Sequence, residues 1–157
     1  MTTAALPASV WHGHEMLFGY VGAVIAGFLL TAVPSWTGSP ILGRRRLLVL
    51  VGLWVAGRLA VSFGGAMPGL LVAGIDVAFP FVLAAMVTAP LWRRRALRNY
   101  IFVGVLAVFA TANGLVHAEI LGILEDSARI GLILGIDTVV VLMVVVGGRV
   151  VPAFTTG

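Results

Sequence analysis

The chain contains no cysteine and no lysine, only three histidines, and few charges of either sign. Without cysteine, disulfide bridges, thiolate metal sites and thiol catalysis are excluded by inventory. Charged residues make up 10% of the 157 and apolar residues 61%, whereas a soluble domain carries roughly a quarter charged residues. The polar shell that water demands is therefore missing. Also missing are a nucleophile beside a base, a phosphate-binding loop and a dinucleotide fingerprint, so no enzyme class can be read from motifs. The opening residues, MTTAALPAS, lack the basic region and short apolar core of a cleavable signal peptide.

What is present is a succession of apolar runs of about 20 residues, the length that crosses hydrocarbon as a helix. They predict an all-α polytopic transmembrane bundle of about five spans, at residues 16–33, 47–66, 69–89, 99–122 and 128–151, forming a single domain over 1–157. Pro34 and the Ser-Trp-Thr-Gly-Ser-Pro stretch after it break the first run. Gly64-Gly65-Ala66-Met67-Pro68 separates the second from the third.

The net charge of +4 comes from ten arginines, which on a soluble protein would suggest a nucleic-acid partner. Here seven of them flank apolar runs, as Arg44 to Arg46 and as Arg93 to Arg95 with Arg98. That is how membrane proteins mark cytoplasmic loops, so the expected partner is the lipid bilayer and not nucleic acid. Two crossings separate the clusters, so both fall on one face, with the amino terminus outside, the carboxyl terminus inside and Arg149 adding to the inner charge. Trp36 and Trp92 then sit at the inner boundary and Trp11 at the outer one, while Trp54 falls in mid-span. Small residues recur at helical spacing, Gly19, Ala23 and Gly27 on the first helix and Gly131 with Gly135 on the fifth, which predicts close helix packing.

Four polar residues interrupt the spans: Arg58, Asp76, Asn113 and Asp137. Each lies about 12 Å in from the outer end of its predicted helix, at about 1.5 Å per residue. Arg58 and Asp76 belong to one helical hairpin, and an ion pair between them is the simplest way to keep both in a low-dielectric interior. With Asp137 they also define an alternative, a proton-coupled transport path.

All three histidines, His12, His14 and His117, fall on the outer side. Imidazole suits copper, iron and zinc, and helices that pack together would bring these rings to one site. His12 and His14 are two apart, about 200° around a helix, so both reach one metal only if that stretch is not yet helical; Gly13 permits this. Asn113 shares a helical face with His117, and Glu15 and Glu119 lie close by, as residues that would orient the ligands. The plainer alternative is histidines that face water at the interface, with Glu15 complementing the helix dipole.

The stretch WHGHEMLFGYVGAVIAGFLLTAVPSWTG from Trp11, together with LWVAGRLA from Leu53 and GGRVVPAFTTG from Gly147, resembles the NnrS family of bacterial haem- and copper-containing membrane proteins. The family's His-x-His-Glu-Met motif falls on His12, His14, Glu15 and Met16, and its Gly-Gly-Arg-Val segment includes Arg149. The resemblance implies haem and copper as cofactors, nitric oxide as a small ligand, a role in resistance to nitrosative stress in denitrifying cells, and a place in the bacterial inner membrane. It also implies a longer parent, with a span before the His-x-His motif and many after the Gly-Gly-Arg segment, of which this chain is a fragment. A further alternative is an accessory subunit, in a homo- or hetero-oligomer, whose small-residue stripes dock a partner.

Overall fold

The computed structural model describes residues 7–155, with side chains through Arg149. The residues at 1–6 and the end of the 147–157 family segment lie outside that description. Five helices follow one another: α1 (Ala8–Thr37), α2 (Arg44–Ser62), α3 (Gly69–Arg93), α4 (Ile101–Ile120) and α5 (Ser127–Thr155), with short 3₁₀ turns before α3 and α4. Among the described residues there is no strand.

Four of the five, α1, α3, α4 with its leading turn, and α5, are long and apolar enough to cross a membrane. The second falls outside that class because it carries Arg44, Arg45, Arg46 and Arg58 within 19 residues. Its length, about 28 Å at 1.5 Å per residue, still matches the hydrocarbon core. The charges divide by position: three stand in the first turn, and only Arg58 lies deep.

The first helix begins well before the expected position 16. Pro7 caps the start, since its fixed φ and missing N–H suit a helix beginning, and the helix runs from Ala8 through His14 without a break. This draws His14 about 9 Å into the helix. Residues Glu15–Val21 then form a π-helical turn, in which the Gly22 N–H reaches back five residues to the Leu17 carbonyl. Gly38, at φ 60°, closes α1 in the left-handed conformation that glycine adopts without strain.

Helices in lipid gain little from excluding water, so close van der Waals contact and polar pairing must hold them. Gly131 meets that need. A Cβ there would stand 2.5 Å from the Ala112 carbonyl oxygen of α4. Gly135 likewise leaves the room that Leu17 and Phe18 of α1 occupy. The other predicted stripe is only partly used: Gly19 packs against Arg58, whereas Gly27 points outward with nothing within 4 Å. Phe18, Leu29, Leu83, Leu91, Phe102, Leu106 and Phe109 fill the centre between α1, α3 and α4.

Trp36 stacks on Phe102, ring centroids 4.8 Å apart. Arg149 lies over both rings and bonds to Asn99 Oδ1 at 2.6 Å and the Arg98 carbonyl at 2.7 Å. That arginine therefore ties α5 to the turn before α4.

Candidate metal centre

The helices converge on a buried polar junction near the end where α1, α3 and α5 begin. α1 supplies His14 and Glu15, α2 Arg58, α3 Asp76, and α4 Asn113 with His117. His14, Asp76, Asn113 and His117 are each no more than 3% exposed. The side chains of Arg58 and Glu15, at 15% and 14%, form the rim.

Asp76 is the hub. Its Oδ2 lies 2.9 Å from His117 Nε2, 3.2 Å from His14 Nε2 and 2.9 Å from Asn113 Nδ2, which donates to it. Its Oδ1 accepts from Arg58. Arg58 also donates to Glu15 Oε1 at 2.6 Å, and Glu15 in turn faces His14 Nδ1 at 3.3 Å. Asn113 Oδ1 completes the ring 2.9 Å from His14 Nε2. The expected Arg58–Asp76 pair is present, but as one part of a larger network that includes the histidines.

Local sequence makes room for this crowding. A Cβ on Gly57 would come within 3.1 Å of Asp76 Oδ1, and one on Gly19 within 2.6 Å of Arg58 Nη1. Glycine at these two positions lets α1, α2 and α3 close around the ion pairs. Pro80, four residues after Asp76, offers no N–H, so the Asp76 carbonyl is released from its helical bond. Trp54, placed in mid-span by the sequence, gives its indole N–H to the Gly19 carbonyl at 2.9 Å.

Three expected members stand elsewhere. His12 is exposed, because the segment around it is helical after all and two residues turn the ring away from His14 by about 200°. Asp137 is exposed on the outer face of α5; it follows Gly135 by two residues and is rotated out by the same amount. Among the described residues no hydrogen bond or ion pair joins it to Asp76 or Arg58. Glu119 reaches across the turn to accept from the Ala128 N–H at 2.8 Å, capping the start of α5 and orienting no histidine. Asn113 lies in the expected layer, yet it bonds to His14 and Asp76, and no bond joins it to His117 among the described contacts.

Chemically, His14, Asp76 and His117 offer one ligand atom each, all within 4.8 Å of one another. Two imidazole nitrogens and a carboxylate oxygen form a donor set that suits divalent first-row metals. A family model for the NnrS protein matches residues 1–157. The chain belongs to the NnrS family. Searches of curated proteins and of solved structures give no match. NnrS membership agrees with the membrane-spanning helices and with a cofactor that is a metal or a haem. Of these, a porphyrin does not fit between His14 and His117: their ring centroids are 5.4 Å apart at 81°, and both Nε2 atoms aim at the same carboxylate oxygen. Two rings that close on one oxygen atom leave no room for a macrocycle between them.

Neither the place of Asp76 beside the two histidines nor the π turn is legible in the sequence. For Asp76 the signal was its shared depth with Asn113, which combined with an earlier start for α1 would have merged the ion pair and the histidines into one site. For the π turn the only hint was an indole N–H in mid-span that needed an acceptor.

Proposed function

We propose that this NnrS-family chain holds a single transition-metal ion between His14, Asp76 and His117, that copper is that metal, and that nitric oxide is the small ligand met there. The observation that carries the reading is the convergence of three metal-competent atoms, from three helices, in a buried layer. Charge supports it as well. One arginine faces two carboxylates in the junction, so a further positive charge is accommodated in a low-dielectric setting.

The surrounding residues fix the donors. Glu15 holds the His14 ring from its Nδ1 side, and Arg58 occupies Asp76 Oδ1 so that Oδ2 stays turned toward the histidines. Asn113 donates to Asp76 Oδ2 and so fixes that oxygen beside the two histidines. When bound, copper on two imidazoles and a carboxylate would supply a coordination position for a small neutral molecule. The arginine clusters support an orientation with this layer in the outer half of a bacterial inner membrane.

Copper-loaded, detergent-purified protein tests the reading by elemental analysis. Bound copper is expected in the wild type, lost in His14→Ala, His117→Ala and Asp76→Asn, and retained in His12→Ala. A wild type that takes up no copper sinks it. A Soret band abolished by His12→Ala and untouched by His14→Ala would move haem to His12.

One observation favours a second reading. Both ring nitrogens of His14 face acceptor oxygens, which suits a doubly protonated ring. The occupant would then be a proton, in a transport module. Proton flux in liposomes that Asp76→Asn abolishes, in protein free of copper, would establish it.

A further inference from the structure

At the opposite end of the bundle a cleft of about 1030 Å³ opens between α1 and α3, roofed by the start of α2. Its walls are apolar: Leu30 and Val33 come from α1, Val82 and Met86 from α3. Its mouth is cationic, lined by Arg44, Arg45, Arg46 and Arg93. The volume is at the upper end of the range of about 300–1,000 Å³ typical of ligand sites.

None of those four arginines is paired with a carboxylate among the described residues. The sequence explains why. Its six acidic residues are Glu15, Asp76, Glu119, Glu125, Asp126 and Asp137, and every one lies at the histidine end or in mid-helix. No aspartate or glutamate side chain is therefore placed to compensate them at this end.

The arginines are also badly placed for their own helix. Three cations occupy the first turn of α2, where the helix dipole is positive, and Gly43 at its cap offers no side-chain acceptor. An anion at the mouth would relieve both the mutual repulsion of the guanidinium groups and their conflict with the dipole. Arginine's fixed fork of donors matches phosphate oxygens.

We propose that this cleft binds one anionic phospholipid, its phosphate held by Arg44 to Arg46 and Arg93 and an acyl chain lying along Leu30, Val33, Val82 and Met86. The two halves of the cleft match the two halves of such an amphiphile. Basic sites between membrane helices recognise lipid head groups in this way.

The test uses the full chain, delipidated in neutral detergent and titrated with phosphatidylglycerol or phosphatidylcholine, with bound lipid counted by native mass spectrometry. Phosphatidylglycerol should bind in preference. Each arginine near a surface is worth about five-fold in such binding, so the triple change Arg44→Gln, Arg45→Gln, Arg46→Gln should weaken it about a hundred-fold. Arg94→Gln, Arg95→Gln, Arg98→Gln removes equal charge from the same end but outside the cleft, and should leave the cleft-bound lipid in place. Ala85→Phe, a change at an exposed lining position that leaves every charge intact, should exclude the lipid and covers the case of a triple variant that fails to insert. Equal losses in the two triple variants, no effect of Ala85→Phe, or no preference over phosphatidylcholine would each overturn the proposal. Displacement by excess inorganic phosphate would assign the arginines to a free anion and overturn the lipid.

Discussion

The two ends of the bundle treat positive charge in opposite ways. At the histidine end Arg58 is enclosed, gripped by Glu15 and Asp76, with Gly19 and Gly57 shaved back so that neighbouring helices close on it. At the arginine end Arg44, Arg45, Arg46 and Arg93 line an open cleft and meet no carboxylate among the described residues. A buried ion must be compensated inside the fold, because breaking such a pair strands a charge in a medium that cannot solvate it. An interfacial ion can wait for water or lipid. The contrast separates a residue that holds the structure together from residues that present it to something else.

The comparison breaks first at Arg58. Arg58→Ala would leave Asp76 and Glu15 facing each other's field without a cation, and unfolding in detergent should show a loss of about 3–5 kcal/mol. A variant as stable as wild type would mean that water already reaches the junction. The next effect is steric and also belongs to the histidine end. Gly131→Ala sets a methyl group against the Ala112 carbonyl, part of the backbone next to Asn113, and should cost about 1–3 kcal/mol. Gly27→Ala, toward the other end and with open space around it, should cost nothing in the same melt.

How much of this could be read from the sequence follows from what kind of information each feature needs. Five helices are written in apolar run length, and four of them are long and apolar enough to cross a membrane. Arg58 and Asp76 were legible as a pair because one hairpin joins them and each alone is prohibitive in hydrocarbon. His14 and His117 were legible as partners only in outline. Their convergence on Asp76 depends on rotation and depth, and apolar run length does not give the depth because α1 starts at Ala8, where apolarity is weak and Pro7 sets the boundary. His12 shows the complementary error: a Gly13 that allows an extended backbone does not compel one, and a helix separates neighbours two apart. Glu119 was close in sequence to a histidine but was claimed by the unsatisfied N–H groups of the next helix. No sequence pattern distinguishes those competing claims.

Smaller effects sharpen the contrast between the ends. Trp54→Phe removes the indole N–H that reaches the Gly19 carbonyl in the π turn, keeps most of the ring, and should cost about 0.5–1.5 kcal/mol, the net worth of one hydrogen bond. Its second consequence is local. The π turn carries Glu15, so a loosened turn should relax the Glu15 hold on His14 and lower copper affinity by about ten-fold, the lower edge of what removing such support does to metal sites. Unchanged affinity would show that Arg58 alone fixes Glu15.

The least effect on folding is expected where the charge is greatest. Arg45 is exposed, bonds to no carboxylate among the described residues and opposes the dipole of its own helix. Arg45→Gln should therefore leave the melting temperature of delipidated protein unchanged or raise it slightly. Added phosphatidylglycerol should raise that temperature less for the variant than for wild type. The sign matters more than the size: a residue that weakens the naked fold and strengthens the lipid-bound one is retained for contact outside the chain. A drop in the melting temperature of the delipidated variant would instead place Arg45 among the residues that hold the bundle together, and the distinction between the two ends would fail at that position.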